Sequence, residues 1–204
     1  MKLTWLGHSC FKLEADNYII ILDPFEDGSV EGLNNIRESA DLVLCSHDHH
    51  DHNARNVVTL VEGNPSPFKV ETISTYHDDK KGSLRGNNII HIITYQDMRI
   101  AHAGDLGCKL TDEQICKLKD IDVWMTPVGG YFTIDAITAK QIVDEINPHI
   151  VIPMHYRSDD FGFSVLDTLD SYTNLCNDVV TYDKNNIKLS KDLPKQTAVL
   201  TYQK

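Results

Sequence analysis

Apolar and polar positions alternate in short blocks at the start of this chain. "KLTWLG" (2–7), "CFKLE" (10–14) and "YIIILD" (18–23) read as three short strands parted by turns at 7–9 and 15–17, a meander. A stretch rich in Gly, Glu and Asn follows over 26–35, and "ADLVLCS" (40–46) is then an apolar run that reads as a buried strand ending at Ser46. "ARNVVTLVE" (54–62) is expected to form a short helix, and "FKVETISTY" (68–76) a strand. "NIIHIITYQDMRIAHAGD" (88–105) reads as two strands joined by a turn at Gln96 and Asp97.

The second half changes style. "TDEQICKLK" (111–119) opens with a Thr-x-x-Gln capping-box pattern, "IDVWMTPV" (121–128) reads as a strand, and "DAITAKQIVDEIN" (135–147) is an amphipathic helix stopped before Pro148. "HIVIPMHY" (149–156) and a closing "TAVLTYQ" (197–203) are strands. Strands first, then alternating helix and strand, predict an α/β sandwich rather than an all-parallel sheet. No repeat, low-complexity segment or linker divides the chain, so the reading is one domain over 1–204.

Composition changes this picture little: 41% hydrophobic and 24% charged residues are ordinary globular usage. Charge changes it more. A net charge of −11 gives a surface that repels phosphate backbones, which disfavours nucleic acid as a partner. Lys80, Lys81 and Arg85 form the longest basic feature, too small for a duplex footprint; it is either a solvated loop or a place to receive one anionic group. Five scattered cysteines without a C-x-x-C pair indicate neither a disulfide framework nor a thiolate zinc site. The N-terminal stretch alternates and turns, unlike a signal peptide or membrane span, and a reducing cytoplasm with no membrane partner is expected.

The chemistry concentrates at "CSHDHHDHN" (45–53), where four histidines and two aspartates fill the six positions from His47 to His52. A short His-rich tract can be a solvated turn or bind metal adventitiously. A turn leaving a strand can, however, point His47 and His49 to one side and Asp51 and His52 to another, giving two adjacent ligand sets. Imidazole nitrogen and carboxylate oxygen suit borderline divalent ions, zinc first, with iron or manganese also compatible, and the absence of nearby Cys argues against a closed structural zinc site. Two such sets need more ligands. His77, Asp105 and His155 each stand where an apolar run gives way to a polar loop.

His47-x-His49-x-Asp51-His52 with downstream His77, the Gly104-Asp105 pair and His155 resembles the metallo-β-lactamase superfamily over nearly the whole chain. "WLGHSCF", "LDP" (22–24) and "HAGDLG" (102–107) are similar to the branch containing ascorbate-6-phosphate lactonase and N-acyl-phosphatidylethanolamine phospholipase D. The resemblance implies a four-layer αββα sandwich with the metals at one edge. It also implies a first metal on His47, His49 and His77, a second on Asp51, His52 and His155, and Asp105 bridging the two. Two ions about 3.5–4 Å apart lower the pKa of a shared water and polarise the scissile group. The Cys ligand of the zinc β-lactamases would stand where Asp105 is, and the diiron oxygen reductases of the superfamily carry Glu where this chain has His49, so the resemblance implies hydrolysis of another kind.

Around these ligands, Asp23 is expected to orient a metal-bound His. His8 and His102 are candidates for the cavity border as substrate or proton-transfer groups, and His102 also competes with His77 as a ligand. Asp51 or Asp105 is expected to help hold the nucleophile's proton, and Gly104 to permit the turn presenting Asp105. Tyr156 and Arg157 belong to a surface loop or address the substrate. His50 is expected to point away, and His91 and His149 to be packed strand residues. The expected function is dinuclear metal-dependent hydrolysis of an ester-type bond, lactone or phosphodiester, in a small soluble and possibly anionic substrate, in a chain that can form a homo-oligomer. The rivals are a nuclease and a non-catalytic metal-binding sensor or scaffold.

Overall fold

The period-2 blocks become strands and the 3.6-period blocks become helices in the computed structural model, which describes residues 1–61 and 63–204. In chain order the strands are β1 (Lys2–Gly7), β2 (Cys10–Ala15), β3 (Tyr18–Leu22), β4 (Ser39–Ala40), β5 (Leu42–Leu44), β6 (Thr59–Leu60), β7 (Phe68–Tyr76), β8 (Asn87–Tyr95), β9 (Met98–His102), β10 (Val123–Pro127), β11 (Ile150–Met154), β12 (Val179–Tyr182), β13 (Asn186–Lys188) and β14 (Gln196–Leu200). The helices are α1 (Asp112–Leu118), α2 (Ala136–Ile146) and α3 (Asp170–Thr173). Among the described residues, no helix is long and apolar enough to cross a membrane.

Two sheets form the centre. One has the order β13-β1-β2-β3-β5 and the other β12-β14-β11-β10-β9-β8-β7. A shared core joins them: Leu3, Trp5, Phe11 and Ile20 of the first lie in one buried cluster with Ile73, Ile93 and Met125 of the second. Helix α2 turns Ala136, Ala139, Ile142 and Ile146 inward and packs on β10, α1 and α3. Its ends are set locally, because the Asp135 side chain accepts from Thr138 N and Asn147 closes the last turn in the left-handed region. Helix α1 carries the full reciprocal capping box between Thr111 and Gln114.

The α/β class and the paired sheets match expectation, whereas the layer outside the five-stranded sheet differs from the expected helical one. There Phe25, Val30, Ile36 and Val58 close over Cys10, Ile21 and Val43, and no residue of α1, α2 or α3 belongs to this second core. The helix expected over 54–62 is instead a 3-10 turn at Arg55–Val57 followed by β6, with Glu62 outside the described residues. Its β-branched run, Val57, Val58, Thr59 and Val61, disfavours a helix, and Ala54 offers no side-chain cap. The polar stretch 157–195, which shows no period in the sequence, supplies α3, β12 and β13.

Strand direction places the chemistry. β3 and β5 run parallel, as do β9, β10 and β11, while β7 and β9 both run antiparallel to β8. The residues that follow β7, β9 and β11 therefore leave the seven-stranded sheet on one side, as in other open sheets whose sites lie beyond the carboxyl ends of strands.

Ile21 is fully buried beneath the loop layer. Ile21→Ala is expected to lose about 2–5 kcal/mol of stability, read from the urea midpoint. Leu60→Ala, at a position 60% exposed, should stay within about 0.5 kcal/mol of the parent.

Candidate metal centre

Five segments far apart in sequence end at one place. The turn after β1 brings His8, the tract after β5 brings His47, His49, Asp51 and His52, and the ends of β7, β9 and β11 bring His77, Asp105 and His155. Ligand atoms of His47, His49 and His77 lie within 4.8 Å of one another, and so do those of His8, Asp51, His52 and His155. The tract thus parts as the resemblance implied, with His8 beside the second set and a third cluster, Asp23, His47 and His52, overlapping both.

Asp105 stands between the two sets. Its Oδ2 is 3.3 Å from His77 Nε2, 3.2 Å from His155 Nε2 and 4.0 Å from His47 Nε2, while its Oδ1 is 3.2 Å from His52 Nε2. The carboxylate is held by its backbone: Asp105 N donates to Asn88 Oδ1 at 2.9 Å, and Asn88 Nδ2 donates to Thr75 Oγ1 and Ala103 O. Gly104, at φ +57, makes the turn, and a Cβ there would sit 2.4 Å from both Asn88 Oδ1 and Ser46 Cβ.

Asp23 touches both sets, one directly and one through Ser46. Its Oδ1 accepts from Ser46 N at 2.7 Å, and its Oδ2 accepts from Ser46 Oγ at 2.6 Å and from His52 Nδ1 at 2.8 Å. Ser46 Oγ in turn accepts from His47 Nδ1 at 2.9 Å. With both Nδ1 atoms donating, His47 and His52 turn their Nε2 lone pairs toward Asp105, the arrangement metal-binding imidazoles need.

The backbone is unusual at these points. His8, Asp23 and His155 all adopt left-handed conformations, at φ +52, +44 and +55. Such conformations cost of order 1–3 kcal/mol each and persist where the surroundings impose them.

Electrostatics fit a cation. Burial pushes the His8 and His47 imidazoles down, to about 4 and about 3, which favours the neutral form that metal coordination needs. Burial opposes charge on Asp105, yet His155 and His52 hold its carboxyl well below the usual range. Asp51 is lowered against the same burial by His8 and His52, and Asp23 is brought to about 2 by His102, His52 and Ser46. Burial disfavours an imidazolium at His52, but Asp105 and Asp23 outweigh it and raise its pKa. A bound cation would take the place of the proton those carboxylates attract.

Buried polar atoms without hydrogen-bond partners also gather here: both ring nitrogens of His8 and of His155, Nε2 of His47 and His52, Nδ1 of His77, and Oδ1 of Asp105. Leaving such groups unpaired is unfavourable, and nitrogen and oxygen donors aimed at a common point are what a divalent ion takes up. The residues therefore fit the expected metals.

Other expectations divide. His102 is fully buried, its Nε2 donating to Ser9 O at 2.9 Å and its Nδ1 accepting from Gly104 N, and it belongs to neither set. With both nitrogens engaged it lacks a free one for the proton transfer or ligation expected of it; its contact with Gly104 makes it a support for the Asp105 turn. Tyr156 is buried against Trp5 and Phe161, and Arg157 Nε donates to Leu166 O, so neither forms the exposed loop expected of them. His50 is exposed, and His91 is buried with Nε2 on Cys45 O. His149 reaches Leu193 O from the start of β11. Ser46, Asn88 and Asp78 were not singled out by sequence. The Asp78 carboxylate accepts from four backbone amides, those of Lys80, Gly82, Leu84 and Arg85, and its only sequence signal is the turn-forming "DDKKG".

Comparison with known proteins shows the family of the chain. A family model described as the beta-lactamase superfamily domain matches residues 2–155. The UPF0173 metal-dependent hydrolase of Desulforamulus reducens is 30% identical over 194 residues, covering 78% of this chain and 85% of that protein. Its counterpart in Caldivirga maquilingensis is 29% identical over 187 residues, covering 76% and 82%. A crystal structure from Thermotoga maritima, assigned to the Zn-dependent hydrolases of the metallo-β-lactamase superfamily, superposes with a TM-score of 0.77 at 28% identity and covers 98% of this chain and 97% of that one.

Asn88→Ala leaves the Asp105 amide without its partner. It is expected to cost about 1–3 kcal/mol in thermal or urea unfolding and to weaken metal retention on dialysis.

Proposed function

This chain belongs to the metallo-β-lactamase superfamily and, within it, to the UPF0173 metal-dependent hydrolases; from that premise we propose that it is a dinuclear hydrolase of ester-type bonds in a small soluble substrate. The observation that supports the reading is that Asp105 lies within 4.0 Å of imidazoles from both clusters, His47 and His77 of the first and His52 and His155 of the second. His47, His49 and His77 would hold one divalent ion, zinc first among the candidates, with manganese or iron compatible with the same donors. Asp51, His52, His155 and His8 would hold the other, with Asp105 shared. Bound there, the pair supplies Lewis acidity and an activated water.

The chain's own groups do the rest. Asp23 fixes the tautomers of His52 and, through Ser46, of His47. Asp51, 13% exposed at its side chain and the more accessible of the two aspartates, is placed to take and return the proton of the attacking water. Its Oδ2 lies 3.5 Å from His8 Nε2 and 3.7 Å from His52 Nε2, which keeps the carboxylate in its ionised form. The resemblance of "WLGHSCF" and "LDP" to the lactonase and phospholipase D branch supports an ester, lactone or phosphodiester as the bond class. A net charge of −11 favours a small molecule over nucleic acid. Five unpaired cysteines suit a reducing cytoplasm.

Purified without added metal or a His tag, the protein is expected to carry about two equivalents of divalent metal and to hydrolyse members of a lactone and phosphodiester panel, with activity lost to chelator and restored by metal. Tightly held metal without turnover would replace this reading with a sensor or scaffold. Asp105→Ala should lower metal stoichiometry and turnover together; full activity in that variant refutes the shared-ligand role.

A further inference from the structure

Next to the site lie side chains that metal binding does not use. Phe163 meets His8 edge-on with ring centroids 5.5 Å apart, and Phe132 meets Phe163 edge-on at 5.9 Å. The guanidinium carbon of Arg85 lies 5.7 Å from the centroid of the Phe132 ring. The next residue, Gly86, accepts from His77 N through its carbonyl at 3.1 Å. The run His8, Phe163, Phe132, Arg85 thus starts at one ligand set and ends beside the other.

Three observations separate this run from ordinary packing. Phe132 belongs to neither apolar core, Phe163 packs at the edge of the second, and Phe132, Phe163 and Arg85 are all half-buried. In a chain with 30 acidic residues, no carboxylate among the described residues lies within ion-pair range of the Arg85 guanidinium. Its backbone is nonetheless pinned, because Asp78 accepts the amides of Lys80, Gly82, Leu84 and Arg85 at 2.7–2.9 Å. Of the three basic residues in this loop, Lys80 is exposed and paired with Asp79 and Lys81 is exposed, so Arg85 alone is built against the aromatic wall.

An arginine held over a ring face without a carboxylate partner has N–H edges free for a planar anion, and aromatic walls with a few fixed polar groups typify small-molecule sites. We propose that Arg85, Phe132 and Phe163 form the subsite for the part of the substrate remote from the scissile bond, and that it selects a flat apolar body bearing one anionic group, carboxylate or phosphate. What happens to the ligand rests on the hydrolase reading; its binding does not.

The test titrates the zinc-loaded full chain with 2-naphthoate, its neutral isostere 2-naphthamide, and acetate, by fluorescence and calorimetry. Naphthoate is expected to bind at least about tenfold more tightly than either control, the magnitude of a charge-assisted pair. Arg85→Gln should bring naphthoate to the naphthamide level with metal content unchanged, Arg85→Lys should recover part of the loss, and Phe132→Leu should shrink the advantage over acetate. Naphthoate binding no tighter than acetate, or undiminished in Arg85→Gln, overturns the subsite and leaves the metals as the only anion site. Binding as described without ester turnover would remove the hydrolase reading and keep the subsite; turnover without naphthoate preference would do the reverse.

Discussion

A carboxylate taken wholly out of water must be compensated on the spot, and Asp105 is compensated by His52, His77 and His155, each within 3.3 Å. Those imidazoles come from the ends of different strands, so the requirement reaches into the topology: β5, β7, β9 and β11 have to end at one place for the charge to be tolerated. His155, one of those imidazoles, sits in left-handed backbone, as do His8 and Asp23 beside the centre. Stability and metal binding are then linked, because an ion that satisfies the unpartnered nitrogens favours the folded chain over the unfolded one.

Labour is divided by element. Strands set where each ligand begins, and the residues behind them set its direction: Asp23 and Ser46 behind the tract, Asn88 and Gly104 behind Asp105. Loops set the rim, with Asp78 stiffening the loop of Arg85 and the five-stranded sheet roofed by loop residues where a helix was expected.

The candidate ligands were legible because each stands at the junction of an apolar run and a polar one, and because the tract repeats donors at a spacing a single turn can split. Asp23 was legible for the same reason, at the end of β3. His8 was seen only as a border residue, since nothing local reveals that the turn after β1 folds over the second set. His102 looked chemically able, and the sequence carries no sign that Ser9 and Gly104 occupy both its nitrogens. The short helix over 54–62 failed against its own β-branched residues.

By itself the sequence determined what is local: the period-2 strands, the capping box of α1, the stop of α2 before Pro148, and a supply of neutral nitrogen and anionic oxygen donors suited to divalent metal. The tertiary structure alone decided which of ten histidines meet, which aspartate they share, and that one arginine of a basic loop faces an aromatic wall. The reason is physical. Periodicity and capping act over a few residues along the chain, whereas convergence of His8, His52, Asp105 and His155 depends on strand order, direction and backbone twist, which arise only when distant segments bury their apolar faces together.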